Sequence, residues 1–344
     1  MRNNLHLYHK VLNQICQWLP EERITRKRNL ALLVIGLYLS ASVHLSLIVR
    51  KWPLEGKIPS LTNRLHRFLC NERLLPSEWY LPLAEQLIKC FSGQRLRLVI
   101  DTTKVGFNHR AMVVGLAYRK RTLPLAWSLH PGGKGNVSAG KQVALLDYVF
   151  QMIPSNCDVH LVGDSGFRTS DLMRWLEDHH WRFVIRQPGN TNVRLPEGRW
   201  VRLSHLPLSK GQTWDIGWVW VAKTNPFGPC WLVLHWDEGE DEPWFLISNY
   251  WVPRPSLILR LYKNRMWMEE MYGDMKGHGF DLESTHLRDE ERIERLMLGV
   301  CIVFVWLITL GSWVVKNSYR HLIDHKSRRD KSYFRLGWDW VERC

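Results

Sequence analysis

The chain has 344 residues, 45% of them hydrophobic, enough for two domains or for one domain with a large insertion and a sizeable core. A net charge of +14 and a sequence pI near 9.6 point to a polyanionic partner. Seven cysteines are scattered with no Cys-x-x-Cys pair, which argues against a disulfide framework and a zinc ribbon and fits a reduced cytosol.

The first residues, Met-Arg-Asn-Asn-Leu-His, open no apolar run of signal-peptide type. Residues 1–92 are expected to form a helical domain. Pro59-Ser60 marks a helix start, with Leu61, Leu65, Phe68 and Leu69 on one face and Arg64, His66 and Arg67 elsewhere. A further helix runs from about Ser77 to Phe91, stopped by Ser92-Gly93. Basic residues at 23–28 and Arg50-Lys51 make this region a DNA-binding module; a helical cap or dimerisation arm is the competing reading. Two apolar runs, Leu30–Val49 and Leu296–Val315, approach the length of a membrane span. Ser40, Ser42, His44 and Ser46 interrupt the first, and Gly299, Thr309, Gly311 and Ser312 the second, so both are expected as buried helices, with no membrane as partner.

From residue 93 the pattern changes. Arg95-Leu-Arg-Leu-Val-Ile-Asp101 alternates and ends on a carboxylate. Ala111–Arg119 and Leu123–Leu129 read as strands joined by a basic turn, Arg119-Lys120-Arg121. The loop Pro131–Asn136 is glycine-rich but lacks phosphate-loop spacing, and a helix is expected from about Ser138 to Ile153. The strand Val159–Asp164 again ends on a carboxylate, followed by a helix to His180 and a strand, Trp181–Arg186. Three strands, helix, strand, helix, strand is the order of a ribonuclease-H-like α/β core, in which the first and fourth strands are neighbours. Asp101 and Asp164 would then face a common metal. A lone aspartate at a strand end is most often a turn former.

The interval from Asp164 to Glu269 is too long for one crossover. Residues 190–251 are strand-like and rich in tryptophan (Trp200, Trp214, Trp218, Trp220, Trp231, Trp236, Trp244), which gives an inserted β domain. Most of these rings are expected in a core, and one or two could stack on an unpaired base. Next comes a stretch read as one helix, in which Tyr262, Arg265, Glu269 and Lys276 fall at roughly 0°, 300°, 340° and 320°, an arc of about 60°. A carboxylate flanked by a phenol and two cations suits a metal beside a phosphate; an exposed Arg265–Glu269 ion pair is the plainer alternative. The assignment is a helical domain at 1–92, a catalytic core at 93–189 and 252–320, the β insertion at 190–251 and a basic C-terminal tail at 321–344.

On these residues the chain resembles the bacterial cut-and-paste insertion-sequence transposases of the DDE type, in the insertion-sequence-four branch with the signature Tyr-x2-Arg-x3-Glu-x6-Lys. Tyr262, Arg265, Glu269 and Lys276 match that spacing without a gap, Asp101-Thr-Thr is similar to the first acidic motif, and Asp164-Ser-Gly-Phe to the second. The likeness spans roughly 95–315. Ser165 stands where a basic residue is frequent, which weakens a DNA contact there. The resemblance implies Asp101, Asp164 and Glu269 as catalytic and metal-holding residues, with two Mg2+ (or Mn2+) ions per site. It implies Tyr262, Arg265 and Lys276 as DNA-binding residues, and a hairpin route to the cut ends. Its implied partners are double-stranded DNA, both terminal inverted repeats and target, held by a homodimer in a paired-end complex. The setting it implies is prokaryotic, cytoplasmic and nucleoid-associated. A non-mobile nuclease or domesticated DNA-binding protein on the same fold is the alternative.

Overall fold

The computed structural model describes residues 2–91, 93–132 and 137–343; Ser92, expected as part of a helix stop, and residues 133–136 of the glycine-rich loop lie outside them. The N-terminal region is helical: α1 (Arg2–Trp18), α2 (Ile24–Ser40), α3 (Leu45–Val49), α4 (Ile58–Leu69) and α5 (Pro76–Lys89). Prolines at the first turns of α4 and α5 fall where a missing N–H costs nothing. The run Leu30–Tyr38 is buried on every side of α2. The other apolar run lies in a long helix, α10 (Glu290–Lys316), which by length and composition could cross a membrane. In the most apolar window of α10, 67% of the residues are buried inside the protein, so packing accounts for the apolarity. Gly299 of α10 lets Leu33 of α2 approach: a Cβ there would stand 2.8 Å from its side chain. Helices α1–α5 and α10 thereby share one continuous hydrophobic core with the strands.

The middle of the chain gives β1 (Arg95–Val105), β2 (His109–Tyr118), β3 (Arg121–Pro131), α6 (Ala139–Met152), β4 (Asp158–Gly163), α7 (Ser170–Asp178) and β5 (Arg182–Gln187). β1 pairs parallel with β4, and β4 parallel with β5; β2 and β3 add antiparallel on the other side of β1. The stretch expected as an inserted domain supplies β6 (Asn192–Arg194), β7 (Trp200–Arg202), β8 (Thr213–Val221), β9 (Phe227–His235) and β10 (Trp244–Ser248). These strands build no sheet of their own. β10 adds antiparallel to β5, and the result is one sheet of order β3-β2-β1-β4-β5-β10-β9-β8-β6-β7. β10, Trp-Phe-Leu-Ile-Ser, is apolar up to Ser248 and buried on both faces, as a strand inside a sheet is, and it pairs on both edges.

Alternation along the central strands decides which helices cover which face. Val162, Val184, Val233 and Leu246 pack under α8 (Pro255–Tyr262), whereas Leu161, Phe183, Ile185 and Leu232 belong to the main core on the opposite face. The helix α9 (Met266–Met275) follows a single 3-10 turn at Lys263–Arg265. Residues 262–275 therefore follow one helical path, but with a 3-10 turn at 263–265 joining the end of α8 to α9 instead of the uniform α-helix expected, and Lys276 lies beyond its end. The C-terminal segment is not a free tail either: α11 (Tyr333–Arg343) buries Phe334, Leu336 and Trp338 and lies against α10. Gly311 and Gly337 make that contact possible, since a Cβ on either would overlap a backbone carbonyl of the other helix.

Candidate active site

Parallel register places the two aspartates. The last β1–β4 pair is Ile100 with Gly163, so Asp101 and Asp164 are the next residues along adjacent chains. Val99 and Val162 are paired two residues earlier, and Val162 faces α8. By period two, Asp101 and Asp164 share that face. β1 does not end at Asp101, as expected from the sequence, but runs on to Val105 because Asp101–Val105 still pair with β2. β4 does end at Gly163; Asp164 caps the 3-10 turn 165–167 by accepting from Gly166 N at 2.8 Å.

Asp101 is only 6% exposed. Its Oδ1 accepts from Thr102 N at 2.7 Å, and its Oδ2 accepts from Arg265 Nη1 at 2.9 Å. Burial pushes its pKa from 3.8 up to about 6; Arg265 opposes the rise and the charge of Asp164 adds to it. The Tyr272 hydroxyl donates to the Asp101 carbonyl at 3.1 Å, tying α9 to the middle of β1. Arg265 also donates from Nη2 to Glu269 Oε1 at 2.6 Å, and the Glu269 side chain is half exposed. One guanidinium thus spans Asp101 and Glu269. Between these two carboxylates, both of which raise it, the Arg265 pKa is held above its ordinary value despite burial.

The signature residues do not line up as one exposed stripe, although Tyr262 keeps a side-chain hydrogen bond with Arg265. Tyr262, expected on the DNA-facing stripe, turns inward: it is 3% exposed and packs edge-on against Trp244, 5.0 Å between centroids. It ends α8, and α8 is pinned to the sheet by its apolar face. Lys276 lies past the end of α9 and pairs with Glu283 at 2.8 Å. α9 is anchored at its other side by Arg121 of β3, which bridges Glu270 at 3.0 Å and Asp274 at 2.5 Å. Tyr272 and Arg121 were missed in the sequence. Tyr272 had a signal, since it lies seven residues after Arg265 and so on nearly the same helical meridian; Arg121 had none, its partners being remote in sequence.

Among the described residues no three His, Cys, Asp or Glu groups are gathered closely enough to hold a metal ion. The donor chemistry nevertheless fits a hard divalent cation: the groups at this face are carboxylates, and Asp101 and Asp164 are close enough for the charge of one to raise the pKa of the other. Arg265 supplies the positive charge there and pairs with both Asp101 and Glu269.

Comparison with known proteins follows the same outline. A sequence profile described as "Transposase DDE domain" matches residues 93–306, which include Asp101, Asp164 and Glu269. No curated protein matches the chain. Among solved structures, a piggyBac transposase synaptic complex with hairpin DNA aligns over 98% of this chain and 77% of that chain, at 12% identity and a TM-score of 0.49.

Proposed function

The chain belongs to the transposase DDE-domain family, and from that premise we propose that it is a DNA transposase that cleaves the ends of a mobile element and joins the freed 3′-OH ends to target DNA. The observation that carries the reading is the register match of Asp101 and Asp164 on one sheet face, with Arg265 linking Asp101 to Glu269. The order β3-β2-β1-β4-β5, with β1 and β4 parallel, supports a ribonuclease-H-like core. The spacing of Tyr262, Arg265, Glu269 and Lys276 supports placement in the insertion-sequence-four branch, and with it the hairpin route and a homodimer on paired ends.

Asp101, Asp164 and Glu269 are the residues that would hold Mg2+ or Mn2+. Two such ions, when bound, supply activation of water and stabilisation of the leaving 3′ oxygen. The chain's own groups do the rest. Thr102 N and Tyr272 fix the Asp101 carboxylate and backbone, so that its oxygens keep one orientation. Arg265 compensates the acidic charge without DNA; with a transposon end in place, its guanidinium and the Lys276 ammonium are the groups suited to a phosphate. Tyr262 acts behind Arg265, as a buried wedge between α8 and the sheet.

The test is strand cleavage of DNA carrying the ends of the element in which the gene lies, with Mg2+ or Mn2+. Asp101→Ala, Asp164→Ala and Glu269→Ala should each abolish cleavage and leave gel-shift binding near normal. Full cleavage by Asp164→Ala would remove that residue from the triad.

A further inference from the structure

Two basic segments far apart in sequence, the β2–β3 turn and the loop before α11, meet at the ring of Tyr333. The Arg119 guanidinium lies over that ring at 5.0 Å and donates to the Tyr333 hydroxyl at 3.2 Å. Arg329 lies over the same ring at 4.4 Å. Two full positive charges are thus held on one phenol.

The loop that carries Arg329 is built, not loose. Arg320 donates to the carbonyls of His325 at 2.5 Å, Lys326 at 3.1 Å and Arg328. The Asp324 side chain is almost wholly buried and accepts from the backbone N–H groups of His325 at 2.8 Å and Asp330 at 3.2 Å. These two residues use their charges on the loop's own frame. The remaining cations face outward: Lys120, Lys326, Arg328 and Arg329 are all exposed. Arg328 pairs with Asp330 at 2.9 Å, whereas Lys120, Lys326 and Arg329 have no ion pair among the described residues. Beside the loop, Tyr319 stacks on Trp340 at 5.4 Å and leans on the exposed Trp313.

Holding unpaired like charges together on a rigid frame is unfavourable without an anion. A lone surface cation swings into solvent; here, stacking on Tyr333 and the hydrogen-bonded frame keep the charges grouped. A row of phosphates offers the matching array, and exposed aromatic faces beside it suit sugar and base edges. The surface is set apart from Asp101 along the sheet. Asp101 pairs with Val113 of β2, and Tyr118 lies five residues further along that strand, ~17 Å at the usual rise.

We propose that Arg119, Lys120, Lys326, Arg328 and Arg329 form a second contact for duplex DNA, gripping phosphates away from the cleavage site. The inference rests on the reading of the chain as a DNA-binding enzyme. It assigns to DNA a surface that the signature residues do not include.

The experiment measures duplex binding by fluorescence anisotropy in EDTA across a salt titration, so that cleavage chemistry plays no part. The test protein is the full chain with Lys120→Glu, Lys326→Glu and Arg329→Gln. A second full-length variant with Arg199→Gln, Lys210→Glu and Lys223→Glu, in the turns that flank β7 and β8 at the far edge of the sheet, changes the net charge equally. The proposal expects a loss of roughly tenfold or more for the first variant and a salt slope less steep by about one per phosphate contact removed. The second variant should lose clearly less. Equal losses in the two variants, or an unchanged slope in the first, would overturn the proposal. If the unaltered chain fails to bind duplex DNA, the functional reading fails before this one is reached.

Discussion

Removing the charge of Asp101 should change how stability responds to pH, and by an amount the structure sets. In the metal-free protein, burial raises the Asp101 pKa from 3.8 to about 6, with the charge of Asp164 adding and Arg265 opposing. The folded state therefore binds a proton that the unfolded chain has already released. Its stabilising effect is complete below pH 3.8 and is lost as pH rises through about 6. The loss amounts to roughly 3 kcal/mol at 1.36 kcal/mol per pKa unit. Asp101→Asn has the same shape and does not titrate. It also gives up the charged contact with Arg265, which moves its whole curve and leaves the difference in slope intact. Urea unfolding of both proteins in EDTA, in steps from pH 4 to 8, should show the wild type losing ~2 kcal/mol relative to the variant, nearly all of it between pH 4 and pH 6 and none above pH 7. Adding Mg2+ at pH 7.5 should then stabilise the wild type, by about 2.7 kcal/mol at a hundredfold excess over its dissociation constant, and have little effect on the variant. Parallel pH curves would refute the placement of Asp101 as a buried, charge-strained carboxylate.

Two further outcomes follow from the same contacts. Arg295, 5% exposed, donates to the carbonyls of Leu69 and Leu74 and pairs with Glu291, joining α10 to the loop between α4 and α5. Arg295→Met should cost about 3 kcal/mol in thermal or urea unfolding, because two buried carbonyls lose their donor; a loss under ~1 kcal/mol would mean that water replaces it. Arg265→Ala and Lys276→Ala should each weaken binding of a pre-cut transposon end by ~1.5–3 kcal/mol and lose most of the preference for an end carrying its 5′ phosphate. Gel shifts on ends with and without that phosphate check this, and an unchanged preference would return Arg265 to the role of a structural ion pair.

The sequence carried the parts of the fold that local pattern specifies. The polar–apolar alternation of 95–101 and the apolar run of 159–163 became β1 and β4, and their parallel pairing set Asp101 opposite Asp164. The polar interruptions of Leu296–Val315 pointed to a buried helix, and α10 is packed between α2, α5, β3 and α11. Three features were not legible. An apolar strand such as β10 declares that it is buried but not which edge it joins, so a continuation of the main sheet read as a separate insertion. The 3-10 turn at Lys263–Arg265 has no Gly or Pro to mark it, and Arg265 at its end reaches Asp101. The last segment was read by its charge, although Phe334 and Trp338 at i and i+4, with Gly337 between them, carried the signal of a packed helix. At the site, residue types were readable and conformations were not: Tyr262 follows the signature spacing but lies under Trp244, because α8 presents its apolar face to the sheet.

The central claim is that Asp101, Asp164 and Glu269 together hold the ions that cut DNA. The most direct measurement is anomalous diffraction at the manganese edge from crystals of the chain with Mn2+ and a pre-cut transposon end. The account predicts anomalous peaks bonded to oxygens of Asp101 and Asp164, with Glu269 completing the set and Arg265 drawn from the carboxylates toward phosphate. Manganese bound elsewhere, or peaks retained at full height in a Glu269→Gln and Asp164→Asn double variant, would contradict it.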